Sequence, residues 1–223
     1  VAIGGYNATG GQFAALYANT IGSYNTAVGV SALRFNTTGA NNTAVGYQAG
    51  YYNTTGQQNT FVGYQAAYGN TGGIFNTAVG QNALFTNTTG VANTAVGFQA
   101  GSSLTVGVNN TFVGTSNSAY GAGYGVSTGS QNVALGGETF KSTMTGSYNT
   151  ALGFGSMASN TTGAANAAVG AYSLQANTTG NKNISVGMYS AYANTGGYGL
   201  VAIGYTALYS NTTGYGNTAV GSH

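Results

Sequence analysis

The sequence predicts an all-β fold, a parallel β-solenoid (β-roll) of about twelve 17-residue coils, on three observations. The motif Asn-Thr-Ala-Val-Gly recurs along the whole chain, a second glycine follows it at a fixed distance, and the forty glycines interrupt any helical run. Self-similarity at a fixed period marks a repeat architecture, in which each unit buries its apolar residues only by stacking on its neighbours. Glycine inside a helix costs about 1 kcal/mol relative to alanine, so a helical reading fails.

The period follows from the closing glycines. They are Gly4, Gly29, Gly46, Gly63, Gly80, Gly97, Gly114, Gly136, Gly153, Gly170, Gly187, Gly204 and Gly221, and ten of the twelve intervals are 17 residues. The other two are 25 and 22, which read as loop insertions of eight and five residues within 5–21 and 119–128. The expected domain is therefore one solenoid spanning 1–223, opening and closing in mid-repeat as a segment of a longer fibre. No basic-then-apolar leader stands at its start, and no apolar run approaches the length of a membrane span.

Within each coil the first element is the short strand Thr-Ala-Val. Its alternation puts Thr26 and Val28 on one face and Ala27 and Gly29 on the other, so both faces carry small or apolar columns. A thin coil has one interior, so the Ala/Gly column is expected to form a second interface with other copies of the chain. The glycines come next. Gly29, Gly39, Gly46, Gly56, Gly63, Gly80, Gly90 and Gly97 are expected at corners that need a positive φ or a close backbone approach, dividing each coil into two extended stretches.

Two asparagine columns complete the unit. Asn25, Asn42, Asn59, Asn76, Asn93 and Asn110 precede successive strands and are placed to hydrogen-bond from coil to coil as a ladder. Asn36, Asn53, Asn87, Asn160, Asn177 and Asn211 precede the Thr-Thr-Gly corner, where an Asx turn is expected. These six also lie in Asn-x-Thr patterns, as Asn7, Asn41, Asn109 and Asn183 do in Asn-x-Ser/Thr patterns, and are candidate N-glycosylation acceptors at exposed corners.

Thr212-Thr213-Gly214-Tyr215-Gly216-Asn217-Thr218-Ala219-Val220-Gly221 resembles the head repeat of trimeric autotransporter adhesins, whose Val-Ala-Ile-Gly strand is matched by Val1 to Gly4 and Val201 to Gly204. The repeats are also similar to those of phage tail-fibre-like proteins. The resemblance covers essentially the whole chain and implies a left-handed β-roll, assembled as a homotrimer and projecting from a cell or virion surface. The period here is longer, and Thr often replaces Val at the first strand position.

Composition bounds the chemistry. Three Lys or Arg, one acid, one His and no Cys leave no thiolate metal site, no disulfide framework and no paired carboxylates. Cations so few cannot track phosphates, so nucleic acid is not expected as a partner. Glu138 and Lys141 read as a surface pair rather than an acid and a base, and the terminal His223 lacks a second metal ligand. The eighteen tyrosines read as stacked columns rather than a carbohydrate platform.

The expectation is an extracellular structural fibre or adhesin-like segment, non-catalytic and without cofactor. Its partners would be other copies of itself, as a lateral homotrimer or an end-to-end filament, with glycans, matrix or a host surface as further targets. The alternative is an ice- or surface-binding solenoid using Thr and Asn arrays. Val133, Ala167, Ile184 and Val201 interrupt the Thr column.

Overall fold

A computed structural model describes residues 1–4, 13–116 and 120–222. Residues 5–12 and 117–119, which take in part of each expected insertion and the acceptor pattern at Asn7, and the terminal His223 lie outside the described residues. The chain forms two compact units, Val1–Asn109 and Asn110–His223. No helix occurs among the described residues.

In the first unit, β1 (Ala2–Ile3), β2 (Thr26–Val28), β3 (Thr43–Val45), β4 (Thr60–Val62), β5 (Thr77–Val79) and β6 (Thr94–Val96) pair in parallel and in chain order. In the second, β7 (Thr111–Val113), β8 (Val133–Leu135), β9 (Thr150–Leu152), β10 (Ala167–Val169), β11 (Ile184–Val186), β12 (Val201–Ile203) and β13 (Thr218–Val220) do the same. Each strand residue pairs with the residue one coil on, as Ala27 does with Ala44. Thr111 pairs with Val133 although 22 residues separate them, so the added residues leave the strand register intact. Each coil is thus a parallel solenoid turn.

The structure corrects three expectations. Each coil carries one strand of two or three residues, not two extended stretches. The rest is a chain of turns in which left-handed residues recur, at Ser31 (φ 58°), Leu33 (φ 49°) and Asn41 (φ 60°), then at Gln48, Gly50 and Gln58. A left-handed L-residue costs about 1–2 kcal/mol. The cost is offset because these residues bond to adjacent coils: Leu33 N–H donates to Ala49 C=O (3.0 Å) and Gln48 N–H to Val30 C=O (3.0 Å).

The Ala column is the second correction. Ala27, Ala44, Phe61, Ala78 and Ala95 are fully buried in the first unit, as are Phe112, Ala134, Ala151, Ala168, Ser185 and Ala202 in the second. They are the interior of the coils themselves, packed on Leu33 and Leu84 in one unit and on Phe140, Met157 and Leu174 in the other. Alanine is small because three-residue strands enclose little space. Where the column swells to Phe, a glycine makes room: Gly50 for Phe61 and Gly123 for Phe112.

The glycines divide the two expected roles. Gly29 has φ +128°, and a β-carbon there would also lie 2.5 Å from the Gly46 carbonyl oxygen of the next coil. Gly56 has no left-handed φ, yet its β-carbon would meet the Gly73 carbonyl oxygen at 2.5 Å and the Asn53 side chain. The first type turns the chain; the second admits the neighbouring backbone.

The second Asn column supplies the third correction. Asn36, Asn53, Asn87, Asn160 and Asn177 are fully buried rather than exposed corners. Asn53 Nδ2 donates to Asn36 Oδ1 (2.8 Å) and to Gly56 C=O (3.1 Å), three residues on. Both asparagine columns are therefore ladders running through the coil, and the Thr-Thr-Gly corner is built on one of them.

Candidate functional site: the outward strand face

With alanine turned inward, the strands turn Thr and Val outward. In β2 to β6 the outward pair is Thr-x-Val five times in succession, from Thr26 and Val28 to Thr94 and Val96. All ten side chains are half-buried or exposed, since each is flanked by its counterparts one rung away at about 4.8 Å. In β7 to β13 the first column is mixed, Thr111, Val133, Thr150, Ala167, Ile184, Val201 and Thr218, beside Val113, Leu135, Leu152, Val169, Val186, Ile203 and Val220. No strand residue in either unit is charged.

The face is held from behind by the first asparagine ladder. Asn42 Nδ2 donates to Asn25 Oδ1 (3.2 Å) and to Gly56 C=O (2.8 Å), and Asn42 N–H also reaches Asn25 Oδ1 (3.0 Å). Asn59 and Asn93 repeat all three bonds, Asn76 repeats those from its N–H and to the carbonyl (Gly90), and Asn110 Nδ2 donates to Gly129 C=O (2.9 Å) in the second unit. Buried amides so paired avoid the penalty of an unmet polar group and fix the strand register. β-Branched side chains on such a support are stiff at χ1, so the face is ordered before it meets anything.

Flanking the strands are ring columns. Tyr47 and Tyr64 stack (centroids 5.3 Å apart), as do Tyr51 and Tyr68 (5.0 Å), Tyr68 and Phe85 (5.2 Å), Tyr192 and Tyr209 (5.1 Å) and Tyr198 and Tyr215 (5.1 Å). Ring faces along a stack are covered by the next ring, leaving edges outward, an arrangement that suits a packing column better than a sugar platform. Burial pushes the Tyr68 phenol up to about 12, helped by the hydrogen bond and charge of Tyr52.

The charges lie off the face. Lys141 Nζ is 3.6 Å from Glu138 Oε2 and 4.4 Å from the Tyr120 ring centroid, a partly exposed pair worth at most about 1 kcal/mol. The Arg34 guanidinium sits on the Phe13 ring (3.6 Å) and donates to the Tyr51 hydroxyl, which makes it a packing residue. Among the described residues no cluster of three His, Cys, Asp or Glu could hold a metal. An open groove of about 700 Å³ is lined by Leu208, Tyr209, Asn211 and Ala219, without convergent titratable groups.

An N-linked sugar needs its amide nitrogen in solvent. Asn36, Asn53, Asn87, Asn160 and Asn177 commit theirs to buried hydrogen bonds, and the half-buried Asn211 donates to Asn194 Oδ1 and Gly214 C=O. In the folded chain these six are corner residues and not open acceptors. Among the described acceptor patterns, those at Asn41 and Asn109 are exposed.

Sequence reading missed a buried serine chain in the second unit. Ser173 Oγ donates to Ser185 Oγ (2.8 Å), which donates to Ser190 Oγ (2.7 Å). The signal was present: Ser185 breaks the Ala column between Ser173 and Ser190, which replace alanines such as Ala83 in successive coils.

Fold and face together define a parallel β-solenoid repeat protein whose strands turn an uncharged face outward in each unit. No family model, curated protein or solved structure matches the chain.

Proposed function

We propose that the chain is a non-catalytic structural segment of an extracellular fibre, adhesin-like in role, that works through its stacked coils and its outward Thr/Val face. The supporting observation is that each coil gives its neighbour the same backbone and asparagine partners it receives, as Asn42 does between Asn25 and Asn59. Such an edge is self-complementary, so further coils or another copy can continue it. Seven strands about 4.8 Å apart and roughly 10 Å wide give the second unit's strand face only about 340 Å², against about 800 Å² per partner for a stable complex. Lateral trimerisation would therefore need more than this face. Sedimentation and electron microscopy of the purified chain over a range of concentrations test it. Concentration-dependent filaments are expected, and a compact monomer throughout would overturn it.

A second reading, binding to ice or another ordered surface, is supported by the uninterrupted Thr-x-Val array of β2 to β6. It predicts thermal hysteresis, abolished by Thr60→Lys with Thr77→Lys. Hysteresis absent from the unaltered chain would remove this reading and leave the first standing.

A further inference from the structure

With no Cys and no Trp, tyrosine and methionine are the side chains most open to one-electron oxidation, and tyrosine predominates, eighteen to three. Met144 and Met157 are fully buried, which leaves Met188 as the open thioether. The tyrosines are not scattered. Tyr198 and Tyr215 occupy the same position in consecutive coils, 17 residues apart, with rings 5° from parallel and centroids 5.1 Å apart. Both are more than half exposed. Tyr47 and Tyr64 repeat the relationship at 5.3 Å and 15°, with Tyr64 also exposed.

We propose that these stacked pairs, each with at least one exposed ring, are sites of oxidative dityrosine cross-linking that join one coil covalently to the next. A one-electron oxidant of the haem-peroxidase class takes one electron from each phenol, and each phenol releases its proton. The two phenoxyl radicals pair their spins in a carbon–carbon bond between positions ortho to the oxygens. The hydrogens on those carbons then move to the oxygens, restoring both phenols. Two tyrosines and one hydrogen peroxide thus give one dityrosine and two waters.

Register supplies the selectivity. Stacked rings a coil apart need only a tilt to bring ortho carbons together, and exposed rings have room to tilt. Tyr51 and Tyr68 stack as closely, at 5.0 Å, but Tyr51 is buried and held by Arg34. Tyr24 and Tyr148 are exposed without a ring partner among the described residues. Stacking must coincide with exposure of at least one ring, as it also does at Tyr192 and Tyr209 (5.1 Å), where Tyr209 is exposed.

The test is treatment of the folded chain with peroxidase and hydrogen peroxide at low protein concentration, followed by peptide mapping of the monomer. The expected product joins Tyr198 to Tyr215, with the loss of two hydrogen atoms and dityrosine fluorescence; a second joins Tyr47 to Tyr64, and a third Tyr192 to Tyr209. Tyr215→Phe should remove the first product and keep the second, since phenylalanine stacks equally well. The same treatment in denaturant should scatter the links. Cross-links that are only intermolecular, or that involve Tyr24 and Tyr148 as often as the stacked pairs, would overturn the proposal.

Discussion

Gly50 and Phe61 share one space in the interior of the first unit: a β-carbon on residue 50 would fall 2.6 Å from Cδ2 of the Phe61 ring and 2.9 Å from Cδ2 of Leu33. Elsewhere in that unit the same two positions hold Leu33 with Ala44, and Leu84 with Ala95. At these levels the coil interior holds one large side chain, contributed either by the turn or by the strand, whereas Ala67 with Ala78 leaves both positions small.

That exchange can be made deliberately. Phe61→Ala alone is expected to cost about 3–5 kcal/mol through the cavity it leaves, and Gly50→Leu alone at least about 1–3 kcal/mol through overpacking. Together they recreate the Leu/Ala pairing, and Leu33 already tolerates the left-handed backbone required. Urea unfolding of all four chains should show most of both losses recovered; simple additivity would mean that the two residues do not share the space.

The asparagine ladder predicts a different loss. Asn59 Nδ2 donates to Gly73 C=O (2.9 Å), and its Oδ1 accepts from Asn76 N–H (2.9 Å). Asn59→Ala strands both of those buried groups at about 1–3 kcal/mol each. The exposed Gln57→Ala should change stability by no more than about 0.5 kcal/mol. Equal effects in thermal unfolding would argue that water replaces the amide.

Inside and outside can be separated on one strand. Ala78 is fully buried and Val79 faces outward. Ala78→Val should cost about 1–3 kcal/mol by overpacking, whereas Val79→Thr should stay within about 0.5 kcal/mol. A reversed order in denaturant melts would place the interior on the other face.

Alkaline pH probes the ring column. Burial raises the Tyr68 phenol from 10.0 to about 12, so the unfolded chain ionises first. The stabilisation from this group is complete below pH 10, falls as pH rises from 10 towards about 12, and is constant beyond. Tyr68→Phe should flatten that part of the stability–pH curve. An unchanged slope would assign it to other tyrosines.

The period, the strand residues and both asparagine columns were legible in the sequence, because each coil repeats one register and in-register stacking must place like residues side by side. Gly29 and Gly56 were legible as corner residues for the same reason. The face turned inward was not, because alternation marks two faces without saying which encloses the core; the enclosed width decides that, and it admits alanine but not a full column of valine. Nor was the left-handed backbone at Leu33 and Gln48, where no local preference calls for it and only bonds to the adjacent coils hold it. Sequence by itself determined that the chain stacks; tertiary structure decided which side chains the stack hides, burying Asn36 and Asn53 and presenting Thr26 and Val28, since burial depends on what the neighbouring coil covers.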